Sequence, residues 1–145
     1  FNADGSFNIK SLKKMILLTK KNDFVFASRY MKGAGSDDDN FITLFGNYFF
    51  SLLGRALLNI KLNDLLYTYI LCNTKNFNKF NLRNNDFRLC VELPYKIENT
   101  NQNYTFIKSK EFKRKFGKKN VNEFKDGFLI LTEVIKCFAK KIMKI

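Results

Sequence analysis

Apolar residues recur along this chain of 145 residues at spacings that alternate between those of helices and those of strands. Residues 9–21 place apolar side chains on one face of a helix and lysines on the other, which predicts an amphipathic helix. Residues 23–28 form a short, mostly apolar run, as expected of a buried strand. A helix that leads into a hydrophobic strand is the repeating unit of α/β proteins, so the pattern predicts an α/β fold. The predicted apolar face of the helix comprises Ile9, Leu12, Ile16 and Leu17.

Residues 31–40 break this pattern. They include two glycines, a serine and the acidic run Asp37-Asp38-Asp39, which are residues typical of loops. The sequence therefore predicts an exposed, mobile loop at this point.

Residues 41–62 are almost wholly apolar and long enough to span a bilayer. A membrane-spanning helix should be apolar around its whole circumference, yet polar residues recur here at every fourth position and trace one stripe. We therefore predict a helix with one face in a protein core or a membrane interface, and with its polar stripe facing a cleft. The stripe comprises Thr43, Asn47, Ser51, Arg55 and Asn59.

The second half of the chain continues the alternation of strands and helices. Its predicted elements are a strand over residues 65–72, a short helical connection over 75–81, a helix over 87–97, a strand over 104–107 and a last helix from residue 126 onward. The helix over 87–97 contains Pro94, which is expected to kink it, and Glu92, which is expected to pair with a basic neighbour.

Positive charge is concentrated near the end of the chain. The basic segment, residues 108–119, holds seven basic residues and one acidic residue, and the last helix places lysines opposite an apolar face. A basic amphipathic helix after a basic loop is typical of a segment that lies on an anionic membrane surface. The same pattern suits a terminal helix that packs on its own domain with a solvated lysine face. We divide the chain into a domain of residues 1–125 and this basic amphipathic helix, residues 126–145.

Composition narrows the possible partners and chemistry. The chain carries 26 lysine and arginine residues against 13 aspartate and glutamate residues, a formal charge of +13, which attracts nucleic acid, anionic lipid headgroups or phosphorylated substrates. The absence of histidine excludes Ser-His-Asp and Cys-His catalysis, and no glycine-rich loop of the Walker type is present. Cys72, Cys90 and Cys137 are far apart in apolar runs, so we expect buried free thiols and no zinc site.

Short motifs follow the predicted elements in a particular order. Residues 2–6 are Asn-Ala-Asp-Gly-Ser, and residues 23–30 are Asp-Phe-Val-Phe-Ala-Ser-Arg-Tyr. Gly-Asn at residues 46–47 lies in the apolar helix, residues 64–69 are Asp-Leu-Leu-Tyr-Thr-Tyr, and residues 113–121 are Lys-Arg-Lys-Phe-Gly-Lys-Lys-Asn-Val. In order and approximate spacing this series resembles family 2 glycosyltransferases of the dolichol-phosphate mannosyltransferase type, along nearly the whole chain.

The resemblance implies a GT-A fold, which is a Rossmann-like α/β fold. It also implies a nucleotide-sugar donor, Mg²⁺ or Mn²⁺ as cofactor, and a polyprenyl-phosphate or another lipid or glycan acceptor. The protein would be peripheral on the cytoplasmic face of a membrane and would bind its anionic surface. Because the match begins at the metal-binding motif, we expect the chain to be the C-terminal portion of the catalytic domain, to lack the N-terminal strands and to be inactive alone.

The same resemblance implies the site residues, each through the motif that contains it. Asp4 and Asn2 take the metal-binding positions, although the family has an aspartate where Asn2 stands, which weakens the expected metal affinity. Arg29 and Asp64 are the catalytic candidates. A carboxylate-held divalent ion neutralises a diphosphate leaving group, and planar guanidinium groups suit phosphate. The residues implied to bind phosphate or acceptor are Ser28, Arg29, Asn47, Lys113, Arg114 and Lys118.

Two alternatives explain the charge pattern without catalysis. A peripheral membrane protein would use the long apolar helix and the basic terminal helix. A nucleic-acid-binding module would use lysines together with stacked aromatic rings. No recognised nucleic-acid motif is present and most of the 17 phenylalanines fall in apolar runs, so we expect no nucleic-acid partner.

Overall fold

The computed structural model describes residues 4–117 and 121–143. Asn2 and Lys118, predicted above as site residues, lie outside the described residues. The described chain is a mixed α/β structure with five helices, a three-stranded sheet and a two-stranded sheet. The helices are α1 (Ile9–Leu18), α2 (Phe41–Leu58), α3 (Thr74–Asn78), α4 (Leu89–Glu98) and α5 (Glu123–Met143). The strands are β1 (Phe24–Ser28), β2 (Gly35–Ser36), β3 (Ile70–Cys72), β4 (Tyr104–Lys108) and β5 (Lys110–Glu111).

Strand β1 is the centre of the larger sheet, whose order is β3-β1-β4. It runs parallel to β4, with Phe24 opposite Tyr104, and antiparallel to β3, with Phe24 opposite Cys72. All five residues of β1 are buried, since helices cover both faces of the sheet. That burial explains why β1 is a continuous apolar run and does not alternate with polar residues.

Two hydrophobic clusters lie on the two faces of this sheet. Phe24 and Phe26 point into the larger one, which takes in side chains of α2, α4 and α5. Val25 and Ala27 point the other way, into a smaller cluster with Met15 of α1. Successive side chains of a strand point to opposite faces, so one five-residue strand organises both clusters.

Helix α1 forms where a helix was predicted and its Leu12 packs on the smaller cluster, but the other three residues of the predicted apolar face are exposed. Met15 is fully buried, whereas Ile9, Ile16 and Leu17 are exposed by 64%, 51% and 63%. The helix packs on β1 and β4 through Ser11 and Met15, one turn apart, so its buried face is rotated from the one the lysine pattern indicated.

Helix α2 confirms the long apolar helix of the prediction. It begins with a capping box, in which Asn40 accepts from the backbone N–H of Thr43 and Thr43 accepts from that of Asn40. It ends at Asn59, which adopts the left-handed conformation with φ 59°. In its polar stripe, Asn47 and Ser51 are buried and Arg55 is exposed. By length and composition α2 is the one helix of the described residues that could cross a membrane.

The loop over residues 31–40 is partly exposed, as predicted, but it contains a strand that the sequence did not predict. Residues 35–36 form β2, which pairs in parallel with β5 of the basic segment. The backbone N–H of Asp37 continues this pairing to the carbonyl of Glu111 at 2.9 Å. The loop is therefore fastened to a segment that lies more than 70 residues further along the chain.

Glu92 of α4 pairs with a basic neighbour, as the sequence indicated. Its side chain is nearly fully buried, forms an ion pair with Lys96 at 2.8 Å, and accepts from the backbone N–H groups of Arg83 and Asn84. Burial alone would raise the pKa of Glu92, but the Lys96 ammonium and these N–H groups outweigh it and hold the pKa at about 2.

Replacing Glu92 with glutamine should therefore destabilise the fold by about 2 kcal/mol, because charge-assisted hydrogen bonds are weakened and Lys96 loses its counter-ion. In the folded wild type the pKa of Glu92 is about 2, against an ordinary 4.5. The stabilisation that the ionised Glu92 gives the fold is therefore present above pH 4.5 and is lost as the pH falls toward 2. Urea unfolding of both proteins at pH 7 and at pH 3 measures the effect. The difference in stability between wild type and Glu92→Gln should shrink at pH 3. An Asp86→Asn control, on a partly exposed local pair with Arg88, should lower stability by less than about 1 kcal/mol at both pH values.

Candidate functional site

A cleft of about 670 Å³ opens beside α2 and α5, where loops from four parts of the chain meet. Its charged lining comes from the loops, from β5 and from the start of α5, whereas α2 and α5 supply much of its aromatic and aliphatic lining. The charged side chains are Asp4, Arg29, Asp38, Asp39, Glu111 and Arg114, joined by Glu123 and Asp126 at the start of α5. The apolar lining includes Ile42, Phe45, Phe49, Phe50, Phe87, Phe116, Phe124 and Ile130.

Asp4 lies in a tight turn at the edge of this cleft. One of its carboxylate oxygens accepts from the backbone N–H of Ser6 at 3.0 Å and from the Ser6 hydroxyl at 2.8 Å. Gly5 has φ 80°, a conformation that glycine adopts without strain. The Asp4 carbonyl accepts from the backbone N–H of Lys115 at 2.8 Å, so the basic segment is attached directly to this turn.

Arg29, which follows β1, is enclosed by three carboxylates. Its guanidinium bonds to Asp64 at 2.8 Å, to Glu111 at 3.0 Å and to Asp39 at 3.2 Å. The ring of Tyr67 lies 4.4 Å below it. Burial opposes the positive charge, but the hydrogen bonds and charge of Asp64 outweigh that cost and raise the pKa of Arg29 above its ordinary value. Arg29 is thus a buried, fully paired cation, and only 6% of it is exposed.

Asp64 lies behind Arg29 and is not part of the cleft lining. Its side chain has no exposed surface, and its two oxygens accept from the guanidinium and from the backbone N–H of Arg29. Ser28 is also buried and donates to Asn63 at 2.8 Å. Asp64 can influence the cleft by holding Arg29 in position.

Arg114 is the second guanidinium of the cleft and is more accessible. It comes from the basic segment and forms an ion pair with Asp38 at 2.6 Å, with a further bond from its Nε to the same carboxylate at 3.1 Å. The hydrogen bonds and the charge of Asp38 raise the pKa of Arg114. About a quarter of its side chain is exposed.

Asn47 brings the polar stripe of α2 to the cleft. Its side-chain N–H donates to the Thr43 carbonyl at 2.9 Å. Its side-chain oxygen is buried and has no hydrogen-bond partner within residues 4–117 and 121–143. Unpaired buried acceptors are uncommon in proteins, so this oxygen is a candidate contact for a ligand N–H or O–H group.

The structure brings four of the predicted site residues to one cleft and separates three others from it. Asp4, Arg29, Asn47 and Arg114 line the cleft, although they are spread over 110 residues of sequence. Ser28 and Asp64 lie behind Arg29, and Lys113 is exposed outside the lining.

Sequence reasoning missed the acidic partners of the two arginines. Asp38, Asp39 and Glu111 all line the cleft, but the run that contains the two aspartates was interpreted only as loop composition. One available signal was that an acidic run and a basic segment occur in the same chain.

The divalent ion that the resemblance implies would have few protein ligands among the described residues of this cleft. Within the described part of the chain, no group of three or more histidine, cysteine, aspartate or glutamate side chains is arranged to hold a metal. Mg²⁺ is commonly bound through only one or two carboxylates, with water and substrate phosphates as the other ligands. Asp4, beside open space in the cleft, supplies one such carboxylate.

Comparison with protein-family models, with curated proteins and with solved structures gave no match to this chain.

Proposed function

We propose that the chain is part of the catalytic domain of a metal-dependent family 2 glycosyltransferase with a GT-A fold. The reaction is transfer of a sugar from a nucleotide-sugar donor to a lipid-phosphate or glycan acceptor at a membrane surface. The observation that carries the proposal is the meeting of Asp4, Arg29, Asn47 and Arg114 in one cleft. These four residues are far apart in sequence, so only the fold brings their side chains to one pocket. Ligand pockets commonly have this composition, an apolar lining with a few convergent polar groups.

The chemistry assigned to each residue follows from its surroundings. In transfer from a nucleotide-sugar, the bond from the sugar to the diphosphate breaks and negative charge develops on the departing phosphate. Asp4 would hold a divalent ion, which would supply Lewis-acid stabilisation of that charge. Arg114, accessible at the same cleft, binds phosphate oxygens through its planar guanidinium. Arg29 and Asp64 act as positioning residues, because together they fix the loops that carry Asp39 and Glu111.

A phosphate acceptor is compatible with a chain that has no histidine. Phosphate monoesters have a second pKa near 6, so such an acceptor is already anionic at neutral pH. Attack by its oxygen on the sugar needs no protein base. An alcohol acceptor would need a base, and among the charged groups of the cleft only carboxylates would be available.

The sheet and the helices are also consistent with the proposal. Strand β3 is paired on one side only within the described residues, so its other edge can accept a strand of a larger sheet. Helices α2 and α5 each expose large apolar side chains, Phe41 and Phe124 most of all, at 82% and 84%. Such a surface suits a membrane interface on the cytoplasmic side, where anionic lipid would attract the lysines of α5.

The same exposed surface also supports the alternative of a peripheral membrane protein without catalysis. The two functions differ in what they require of Asp4. A membrane-binding protein has no use for a carboxylate at the edge of the cleft, whereas the transferase needs it for the metal.

Replacing Asp4 with asparagine tests the proposed function. In the intact protein, transfer from labelled nucleotide-sugars to polyprenyl phosphate in membranes should fall about tenfold to 100-fold, since one charged metal ligand is lost. Mn²⁺ affinity in the presence of a uridine or guanosine diphosphate, measured by the electron paramagnetic resonance of free Mn²⁺, should fall by a similar factor.

The control is Asp86→Asn, which removes the same charge away from the cleft. It should leave transfer and Mn²⁺ affinity unchanged. Undiminished transfer by Asp4→Asn would show that the metal assignment is wrong. If the wild type transfers sugar from none of the nucleotide-sugars tested, the membrane-binding alternative is favoured.

A further inference from the structure

Each aspartate of the acidic run is paired with a different cation. Asp37 pairs with Lys110 at 3.1 Å, Asp38 with Arg114 at 2.6 Å, and Asp39 with Arg29 at 3.2 Å. Arg114 and Arg29 line the cleft, whereas Lys110 does not. Two neighbouring carboxylates therefore occupy both guanidinium groups that an anionic ligand of the cleft would meet.

The two guanidinium groups differ in whether a ligand can replace the aspartate. Arg29 would remain bound to Asp64 and Glu111 if Asp39 left, and it is nearly inaccessible. Arg114 has Asp38 as the acceptor of all its side-chain hydrogen bonds within the described residues, and both side chains are partly exposed. Arg114 is thus the group at which an exchange of anions is possible.

We propose that Asp38 is an internal competitor for the anion that the cleft binds, and that a phosphate group takes its place on Arg114. The inference rests on the proposed function in one respect, that the ligand bears phosphate. Carboxylate and phosphate both accept two parallel hydrogen bonds from a guanidinium. A terminal phosphate carries a charge of about −1.5 to −2 at neutral pH, against −1 for Asp38, so it binds Arg114 more strongly.

The backbone around Asp38 keeps the competitor close to Arg114. The pairing of β2 with β5 and the bond from the Asp37 N–H to the Glu111 carbonyl join the acidic run to the basic segment on the N-terminal side of Asp38. Replacement of Asp38 by a phosphate group therefore requires rotation of the Asp38 and Arg114 side chains and leaves β2 paired with β5. A tethered competitor acts at high effective concentration, so it excludes weak monovalent anions and yields to phosphates of higher charge.

The test is titration of the 145-residue chain with inorganic pyrophosphate, without metal, by isothermal calorimetry. Asp38→Asn should lower the Kd about fivefold, because a partly exposed ion pair is worth about 1 kcal/mol. Asp37→Asn is the matched control, since it removes the same charge one residue away from a pair outside the cleft, and it should change the Kd less than twofold. Asp38→Asn should give no gain in a chain that already carries Arg114→Gln.

A second measurement uses the wild type, in case a variant folds poorly. With ¹⁵N-labelled arginine, the Arg114 Nε–H resonance should move during the pyrophosphate titration and that of Arg29 should stay. The inference is overturned if Asp38→Asn and Asp37→Asn tighten binding equally, if neither does, or if Arg29 responds in place of Arg114. If any of these results is found while the intact protein still transfers sugar, the inference about Asp38 fails and the proposed function stands. If pyrophosphate displaces Asp38 as expected but no sugar is transferred, the inference about Asp38 stands and the proposed function fails.

Discussion

Replacement of Arg29 with alanine should lower the free energy of unfolding by about 3 to 5 kcal/mol, the usual cost of removing one partner from a buried ionic group. The guanidinium is the common partner of Asp39, Asp64 and Glu111, and the Asp64 side chain has no exposed surface. Without Arg29 these carboxylates would lie close together and be poorly hydrated, so their repulsion would push apart the segments that carry them.

Urea unfolding followed by circular dichroism measures this loss. Arg114→Ala is the matched control, because it removes the same side chain from a single, partly exposed pair and should cost no more than about 1 kcal/mol. Arg29→Lys should fall between the two, since an ammonium keeps the charge but cannot reach three carboxylates in the planar geometry of a guanidinium. Equal stability of Arg29→Ala and Arg114→Ala would show that the enclosed cation does not hold the loops together.

This prediction changes how loss of activity at Arg29 should be interpreted. From the sequence, Arg29→Ala is expected to remove sugar transfer and leave the fold intact. With three carboxylates on the guanidinium, loss of transfer in that variant would follow from loss of structure. Arg114 is the better position for testing phosphate binding, because its substitution removes a cation from one carboxylate, that of Asp38, which is partly exposed.

The elements that could be predicted from the sequence are those with strong local patterns. Strand β1 is buried on both faces and therefore reads as one apolar run, and α2 carries its capping residues and its apolar length in its own sequence. The apolar face of α1 could not be predicted in the same way. Exposed Ile9, Ile16 and Leu17 look like core residues in a helical projection, and only the position of the sheet shows that Met15 faces it.

The parts of the site that were missed depend on contacts between distant segments. The acidic run is loop-like in composition, and what orders it is pairing with residues 110–114, which no local pattern reveals. The predicted strand over 65–72 was too long for a related reason. Leu65 and Tyr67 are buried, as a strand interior would be, but the residues paired with β1 as a strand are Ile70–Cys72.

The proposed membrane surface leads to the second large effect. Phe41, Phe45, Tyr48 and Leu52 follow one another at helical spacing along α2, and each is exposed by 46% or more. The double variant Phe41→Ser/Tyr48→Ser removes two rings that do not line the cleft. If this face enters the lipid interface, loss of about 2 to 3 kcal/mol of apolar burial should reduce vesicle binding roughly 30- to 150-fold.

Co-sedimentation with vesicles of phosphatidylcholine and phosphatidylserine measures this binding at low and at high salt. The lysines of α5 contribute a part that salt screens, whereas the contribution of the α2 rings should persist at high salt. Ile9→Ser/Leu17→Ser is the matched control, because it removes exposed apolar side chains from α1, which packs on the other face of the sheet. An equal loss of binding in both double variants, or none in either, would mean that α2 does not face the membrane.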